Sequence, residues 1–180
     1  MAILVDEAIW DWRGRRWCHL VSDTATDELH DFAHRLGVPY LAFQGDHYDI
    51  HTQLRADAIS AGARPVAGRE LVVALREAGL RRRGPRDPWQ WQWRSTVGDR
   101  CPMELPEPVG DDVVEVIAQL GSGSSPVEVG RVSRPGESLL VVSTPDRVGV
   151  DPGLVPLDQG RSLHRSRGER GTWVEWRSVR

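Results

Sequence analysis

Short apolar runs alternate with amphipathic segments along the first 80 residues of this 180-residue chain. The apolar runs predict buried strands at Ile3–Val5, His19–Val21, Tyr40–Phe43 and, as a candidate fourth, Pro65–Ala67. Between these runs lie three stripes of apolar residues at helical spacing, and each stripe ends at a glycine: Gly37, Gly62 or Gly79. The alternation of strand and helix predicts an α/β fold, with a small, mostly parallel sheet covered by helices over residues 1–80.

The helix that ends at Gly37 has the clearest limits. Its apolar face is Leu29, Phe32, Ala33 and Leu36, and either Asp23 or Thr24 is a candidate N-cap. The other two stripes are Ile50-Leu54-Ala58-Ala61 and Leu71-Ala74-Leu75-Ala78.

The second half of the chain changes to the two-residue alternation that is typical of strands. Val127–Val132 and Ser138–Ser143 flank the turn residues Pro135 and Gly136, which predicts a β-hairpin. Trp173–Arg177 alternates in the same way, whereas Val113–Leu120 fits either a helix or a strand. We therefore predict a mostly antiparallel β region over residues 89–180. Residues 81–88, rich in arginine, glycine and proline, are the predicted linker.

Composition narrows the class of protein. A net charge of −3 excludes the strongly basic surface that non-specific duplex binding requires. No apolar run is long enough to cross a bilayer, and the N-terminal residues do not have the pattern of a signal peptide. Two cysteines, Cys18 and Cys101, are too few for a disulfide framework or a zinc–thiolate site. These features predict a cytoplasmic protein with no membrane partner.

Polar residues follow the predicted strands, where open α/β sheets bind their ligands. Asp6 follows the first strand, Ser22 and Asp23 follow the second, and the segment Asp46-His47-Tyr48-Asp49 follows the third. Five of the six histidines also fall in this region: His19, His30, His34, His47 and His51. Imidazole next to carboxylate suits both general acid–base catalysis and binding of a divalent metal ion.

Each of these residues also has a structural explanation. Asp23 is equally suited to capping a helix, and a polar turn accounts for residues 46–49 as well as a site does. Ser22 with His47 and Asp49 has the chemistry of a hydrolase triad, but no nucleophile-elbow pattern surrounds the serine.

A Trp-rich segment in the second half also allows two interpretations. Trp89, Trp91 and Trp93 fall on one face of a predicted strand beside Arg94, which suits the stacking of single-stranded nucleic acid. The interpretation we favour is that these indoles pair with Trp173 or Trp176 across neighbouring strands and close the domain.

Several motifs in the first 80 residues occur together in one known family. They are Trp17-Cys18-His19-Leu20-Val21-Ser22-Asp23, Glu28-Leu29-His30, and His47-Tyr48-Asp49-Ile50, in this order. In these motifs residues 1–80 resemble a family of small bacterial and phage proteins known as domain of unknown function 4031. The resemblance implies no reaction, but it adds Glu28 and His30 to the candidate residues.

Together the candidates define three hypotheses about function. The first is a metal-assisted hydrolase or phosphoesterase that acts on a nucleotide-like substrate, with Asp6, Asp23 and Asp49 as ligands of a divalent metal ion. In it His19 and His47 act as acid and base or as further ligands, Ser22 is a further catalytic candidate, and Glu28, His30, Asp46 and Tyr48 contact the ligand. The second is a non-catalytic module that binds a small anion, a nucleotide or single-stranded nucleic acid. The third is an interaction protein in which the polar cluster is a structural network.

Overall fold

The computed structural model describes residues 2–12, 14–82, 87–97, 105–151, 161–165 and 171–179. The chain forms two compact units, residues 1–86 and 87–180. Of the predicted linker, residues 83–86 lie outside the described residues, as does Cys101. Within the described ranges no helix combines the length and the apolar character needed to cross a membrane.

The sheet of the first unit is built around one central strand. Its strands are β1 (Ile3–Val5), β2 (Trp10–Trp12), β3 (Arg15–Ser22), β4 (Tyr48–His51) and β5 (Arg64–Pro65). β3 pairs antiparallel with β1 and β2 along one edge and with β4 along the other, so that Leu20 lies between Val5 and Tyr48. β5 extends the sheet beyond β1 and pairs with it in parallel.

The α/β class is confirmed, but the sheet is mixed, because β1 with β5 is the single parallel pair among the described strands. The expectation of mostly parallel pairing is wrong. Sequence patterning does not reveal the hairpin of β2 and β3, after which β3 runs antiparallel to β1. β2 and β3 turn at Gly14, which has a φ of 74°, and Asp11 and Arg16 face each other on the exposed part of the hairpin. β2 carries Trp10 and Trp12, but most residues of the hairpin are exposed, so no buried face marks its two strands.

The predicted third strand, Tyr40–Phe43, is wrong. Residues Tyr40–Ala42 form a 3₁₀ turn, closed by a hydrogen bond from the Phe43 N–H to the Tyr40 carbonyl. Pro39 precedes this turn, and the following chain reverses at Gly45, which has a φ of 97°. The strand lies further on, at β4, which takes Ile50 from the predicted helix stripe.

Among the described residues of the first unit, three helices cover the sheet: α1 (Thr26–Arg35), α2 (Thr52–Ser60) and α3 (Gly68–Glu77). The expected helix ends are confirmed, since Gly37, Gly62 and Gly79 all have positive φ. The predicted N-cap is wrong, because Ala25 occupies the N-cap position of α1.

The helices pack on opposite faces of the sheet and so determine which face carries each strand residue. α1 and α2 pack on the face that includes Val5, Cys18 and Leu20. Leu71 and Leu75 of α3 pack on the other face, against Leu4 and Val21. Alternate residues of a strand share a face, so Asp6 and His19 lie on the α3 side.

The second unit is one antiparallel sheet with one described helix. Its strands are β6 (Gln90–Val97), β7 (Val127–Arg134), β8 (Glu137–Thr144), β9 (Arg161–Arg165) and β10 (Thr172–Val179), in the order β6-β7-β8-β10-β9. The antiparallel β region and the hairpin across Pro135 and Gly136 are confirmed. The ambiguous segment is a helix, α4 (Asp111–Leu120), whose Val116 packs against Val129 and Val142.

The tryptophans of β6 are arranged differently from the prediction. Trp91 lies opposite Val132 and Trp93 lies opposite Arg131, so the intervening Gln92 forms a β-bulge. The bulge turns Trp93 into the core beneath α4 and places Trp91 over Gly130. The three indoles therefore do not share a face. Because β7 and β8 separate β6 from β10, the expected cross-strand pairing with Trp173 or Trp176 is also wrong.

Candidate metal centre

Strand β1 ends at Val5, and at the next residue, Asp6, the chain leaves its ladder with β3. The Asp6 N–H still donates to the His19 carbonyl at 3.2 Å, but the His19 N–H donates to the carboxylate oxygen Asp6 Oδ1 at 2.6 Å. The Asp6 carbonyl accepts a hydrogen bond from Arg55 Nε of α2 at 2.6 Å. Asp6 is buried, and these hydrogen bonds fix its side chain against His19.

Two histidine rings are each held by a carboxylate through Nδ1. His19 Nδ1 lies 2.8 Å from Asp6 Oδ2, and His47 Nδ1 lies 2.5 Å from Asp46 Oδ1. An ionised carboxylate only accepts hydrogen bonds, so Nδ1 carries the proton in each ring. In the neutral imidazole the lone pair is then on Nε2, the atom on the side away from the carboxylate. Both rings therefore present a metal-binding atom in a fixed orientation.

Asp49 lies opposite His19 in the pairing of β4 with β3, and its carboxylate approaches both imidazole rings. Asp49 Oδ1 lies 3.2 Å from His47 Nε2 and 3.9 Å from His19 Nε2. This oxygen is buried and forms no hydrogen bond with any residue that the structure describes. A buried carboxylate oxygen without a hydrogen bond is costly, unless a cation binds it.

The three side chains are close enough to share one ion. One ligand atom from each of His19, His47 and Asp49 lies within 4.8 Å of the other two. Ligands ~2.1 Å from a tetrahedral metal ion are ~3.4 Å apart, so small side-chain movements bring these atoms to binding distance. The ring centroids of the two histidines are 5.1 Å apart and the rings are tilted by 73°, so they approach edge to face and do not stack.

Neighbouring groups restrict the movement of the His19 ring and of Asp6, the carboxylate that holds it. The Trp10 indole stacks on the His19 ring with a centroid separation of 5.4 Å and an interplanar angle of 13°. Helix α3 begins at Gly68, where a Cβ atom would lie 3.4 Å from Asp6 Oδ2. The N-terminus of α3, the positive end of the helix dipole, is therefore next to the Asp6 carboxylate.

Asp46, the carboxylate that holds His47, accepts hydrogen bonds from several groups. Besides His47, Asp46 accepts hydrogen bonds at Oδ2 from Arg81 Nη1 at 3.0 Å and from the Arg82 backbone N–H at 3.1 Å. Burial alone would raise the pKa of Asp46, but His47, the Arg82 N–H and Arg81 together hold this pKa below its usual range. Asp46 is thus held as a carboxylate and accepts the proton of His47 Nδ1 in a hydrogen bond.

The neighbouring thiol is not part of this cluster. Cys18 lies on the opposite face of β3, where its Sγ donates to the Ile50 carbonyl at 3.3 Å. Burial, reinforced by the negative charge of Asp6, raises its pKa to about 12. The Cys18 thiol is therefore protonated at neutral pH and serves as a core residue.

Of the three carboxylates predicted as metal ligands, the structure places one in the cluster. Asp49 is in the cluster with His19 and His47, whereas Asp6 is hydrogen-bonded behind His19. Asp23 is elsewhere, because its Oδ1 accepts hydrogen bonds from the Ala2 N–H at 2.6 Å and the Thr24 hydroxyl at 2.7 Å. Partial burial opposes these two hydrogen bonds, but they prevail and lower the pKa of Asp23.

Ser22 and Glu28 form a separate local network at the start of α1. Ser22 Oγ accepts the N–H groups of Thr24 and Ala25 at 3.0 and 3.1 Å and donates to Glu28 Oε2 at 2.6 Å. Since Ala25 offers no side-chain cap, Ser22 satisfies the backbone there. In the described part of the chain no histidine is hydrogen-bonded to Ser22, so the triad considered from the sequence is not assembled.

His30 and Tyr48 belong to the core on the α1 side. His30 Nδ1 lies 2.9 Å from the Tyr48 hydroxyl, and the His30 ring contacts Tyr40 and Phe43 at centroid distances of 4.8 and 4.5 Å. Tyr48 is 1% exposed, which leaves it no surface for a ligand. These two positions of the family motifs therefore contribute to packing.

Three residues of the site were missed by sequence reasoning: Arg55, Gly68 and Arg81. Trp10 belongs to a segment in which tryptophans and arginines are interleaved, a pattern that suggests phosphate or nucleotide binding but does not place Trp10 on His19. Arg55 is one of several arginines on polar helix faces, so it has no distinguishing pattern. Gly68 at a helix start was a usable signal, because a first-turn glycine often permits a close approach. Arg81 falls in the arginine-rich segment that was predicted to be a linker.

Comparison with known proteins finds a family match within the first unit. Residues 3–78 match the model of a family described as Protein of unknown function (DUF4031), which confirms the resemblance inferred from the motifs. The match includes the three clustered residues and ends before Arg81. No curated protein and no solved structure matches the chain.

Proposed function

We propose that the first unit is a metal-dependent hydrolase whose centre is one divalent ion bound by His19 Nε2, His47 Nε2 and the Asp49 carboxylate. The observation that carries this proposal is the buried Asp49 Oδ1, which forms no hydrogen bond with any described residue and faces two imidazole nitrogens. Asp6 and Asp46 orient the two rings. Metal-binding histidines commonly donate their second ring N–H to a carboxylate in this way.

The donor set selects the type of metal. Two imidazole nitrogens with one carboxylate suit Zn²⁺, Fe²⁺, Co²⁺ or Mn²⁺, whereas Mg²⁺ and Ca²⁺ prefer all-oxygen sites. Three protein ligands leave at least one coordination position for water or substrate, as in catalytic zinc sites. Bound there, the ion would lower the pKa of its water and polarise an electrophilic oxygen of the substrate.

The charges around the cluster favour an anionic substrate. Asp46 is paired with Arg81, and Asp6 is close to Arg55 and the N-terminus of α3. If Asp49 is the one negatively charged ligand of a divalent cation, the metal centre keeps a net positive charge. Phosphate oxygens suit such a centre, so we infer that the substrate is a phosphoester, with nucleotides as the class to test first.

The test compares matched histidine variants. In His47→Asn the amide nitrogen replaces Nδ1 and keeps the hydrogen bond to Asp46, but the ligand atom Nε2 is lost. In the control, His51→Asn, an imidazole that caps α2 is replaced by another capping side chain. Equilibrium dialysis with Zn²⁺ and Mn²⁺, followed by hydrolysis of bis(p-nitrophenyl) phosphate and a panel of nucleotides, measures both binding and activity.

Wild type and His51→Asn should take up one ion per chain and hydrolyse a phosphoester. His47→Asn should lose more than about 100-fold in metal affinity, because an orienting residue alone is typically worth 10- to 100-fold. Equal metal uptake by wild type and His47→Asn would show that the ion binds elsewhere. Uptake without hydrolysis of any phosphoester would limit the function to metal or ligand binding.

A further inference from the structure

The chain that leaves the first unit passes directly over the loop that carries His47. After α3, the N–H groups of Leu80 and Arg81 both donate to the Leu75 carbonyl, at 2.9 and 3.0 Å. This turn directs residues 81–82 against Gly45, where a Cβ atom would lie 3.6 Å from Arg82 Cδ. Gly45 also has a φ of 97°, so a side chain there would be strained.

The contact between the two segments is centred on one carboxylate oxygen. Asp46 Oδ2 accepts the Arg81 guanidinium at 3.0 Å and the Arg82 backbone N–H at 3.1 Å. Asp46 and His47 are 3% and 4% exposed, so this network is shielded from water. The other oxygen of the same carboxylate holds His47 Nδ1. A continuous series of hydrogen bonds thus runs from Arg81 through Asp46 to the ring of His47.

We propose that Arg81 is a positioning residue of the metal centre, and that metal binding in turn fixes the segment through which the chain leaves the first unit. The proposal rests on the metal site proposed above. Arg81 orients Asp46, Asp46 orients the His47 ring, and Nε2 of that ring binds the ion. Arg81 lies outside residues 3–78, so the centre is completed by a residue beyond the family match.

The second part of the proposal follows from thermodynamic linkage. If the contact of Arg81 with Asp46 raises the affinity for the metal by some factor, the bound metal strengthens that contact by the same factor. The peptide bonds after Arg81 and Arg82 are trypsin sites, and their cleavage requires this segment to detach. Metal should therefore slow cleavage at these two bonds in proportion to the coupling.

Two neighbouring arginines provide a matched pair of variants. Arg81→Ala removes a side-chain donor to Asp46, whereas Arg82→Ala keeps the backbone N–H that is the donor at that position. Arg81→Lys retains a cation and tests for partial rescue. The Arg81 side chain is 36% exposed, so its replacement leaves the core intact, which circular dichroism and the thermal transition of each variant verify.

Zn²⁺ affinity of the full chain is measured by competition with a chromophoric chelator. Arg81→Ala should bind about 10-fold more weakly than wild type, Arg81→Lys should lie between, and Arg82→Ala should stay within about twofold. Cleavage after Arg82, followed by mass spectrometry, should be slowed by Zn²⁺ about 10-fold in wild type but little in Arg81→Ala.

The possible failures are distinct. If wild type binds no ion, both the metal centre and the role of Arg81 are overturned. If wild type binds the ion but Arg81→Ala has the same affinity, or weakens to the same extent as Arg82→Ala, only the positioning role is overturned. Loss of affinity in Arg81→Ala without any effect of metal on cleavage after Arg82 would overturn the linkage to the exit segment.

Discussion

Replacing Asp49 with asparagine should stabilise the metal-free protein and abolish its response to metal. With each imidazole in its neutral form and its proton on Nδ1, the Nε2 lone pair of His47 faces Asp49 Oδ1 across 3.2 Å. Two acceptors at this distance repel each other, and neither supplies a proton. Asparagine has nearly the same shape, but its amide N–H can donate to Nε2 and remove the repulsion.

The size of the effect follows from the burial of this group. A buried polar group without a hydrogen-bond partner costs about 1–3 kcal/mol. The Asp49 side chain is 23% exposed although its Oδ1 is buried, so we expect a gain at the lower end, about 1 kcal/mol. For a domain of this length, that raises the Tm by roughly 4–8 °C.

With metal present, wild type should be more stable than Asp49→Asn. At a metal concentration 100-fold above Kd, wild type should gain about 2.7 kcal/mol, and its Tm should rise by roughly 10–20 °C. Asp49→Asn should show almost no shift. Differential scanning calorimetry with EDTA, and then with Zn²⁺, measures both effects, and Asp31→Asn on the exposed side of α1 is the control. A metal-free Asp49→Asn protein less stable than wild type by 1 kcal/mol or more would refute this reasoning.

Three further predictions test other parts of the fold. Gly130→Ala should destabilise the second unit by about 1–3 kcal/mol in urea unfolding, because a Cβ there would lie 2.5 Å from the Trp91 ring; an unchanged midpoint would contradict the packing. Cys18 should resist iodoacetamide at pH 8 until the protein unfolds, since burial raises its pKa to about 12, and peptide mapping will detect any native labelling. The side-chain and backbone hydrogen bonds of Ser125 hold the pKa of Asp146 below its usual 3.8, so the native form is favoured above that pH and this contribution is lost as the pH falls through the lowered pKa. Asp146→Asn should therefore flatten the acid limb of the Tm profile between pH 2 and 5, and an unchanged limb would argue against those contacts.

The elements that sequence predicts best are those with a complete local signal. α1 has an apolar face at helical spacing and a glycine that ends it, and the hairpin of β7 and β8 has two-residue alternation around Pro135 and Gly136. Local patterning fails where a strand has no buried face. The β2 residues Trp10–Trp12 and the start of β3 are mostly exposed, so only their mutual pairing reveals them as strands.

The sequence likewise reveals only part of the candidate site. The sequence draws attention to Asp6, His19, His47 and Asp49 because imidazoles and carboxylates follow apolar runs. It does not reveal which carboxylate holds a ring and which faces both Nε2 atoms. That distinction depends on the register of β4 against β3, which places Asp49 opposite His19. Tyr48 next to it faces the core, since neighbouring residues of a strand point to opposite faces.

The most direct test of the metal centre is a crystal structure of the protein grown with Zn²⁺, with diffraction recorded on both sides of the zinc absorption edge. We expect one anomalous peak in the first unit, at ~2.0–2.2 Å from His19 Nε2, His47 Nε2 and an Asp49 carboxylate oxygen. The Nδ1 atoms of both rings should remain hydrogen-bonded to Asp6 and Asp46. A map with the three side chains in place and no peak between them would show that His19, His47 and Asp49 do not form a metal centre.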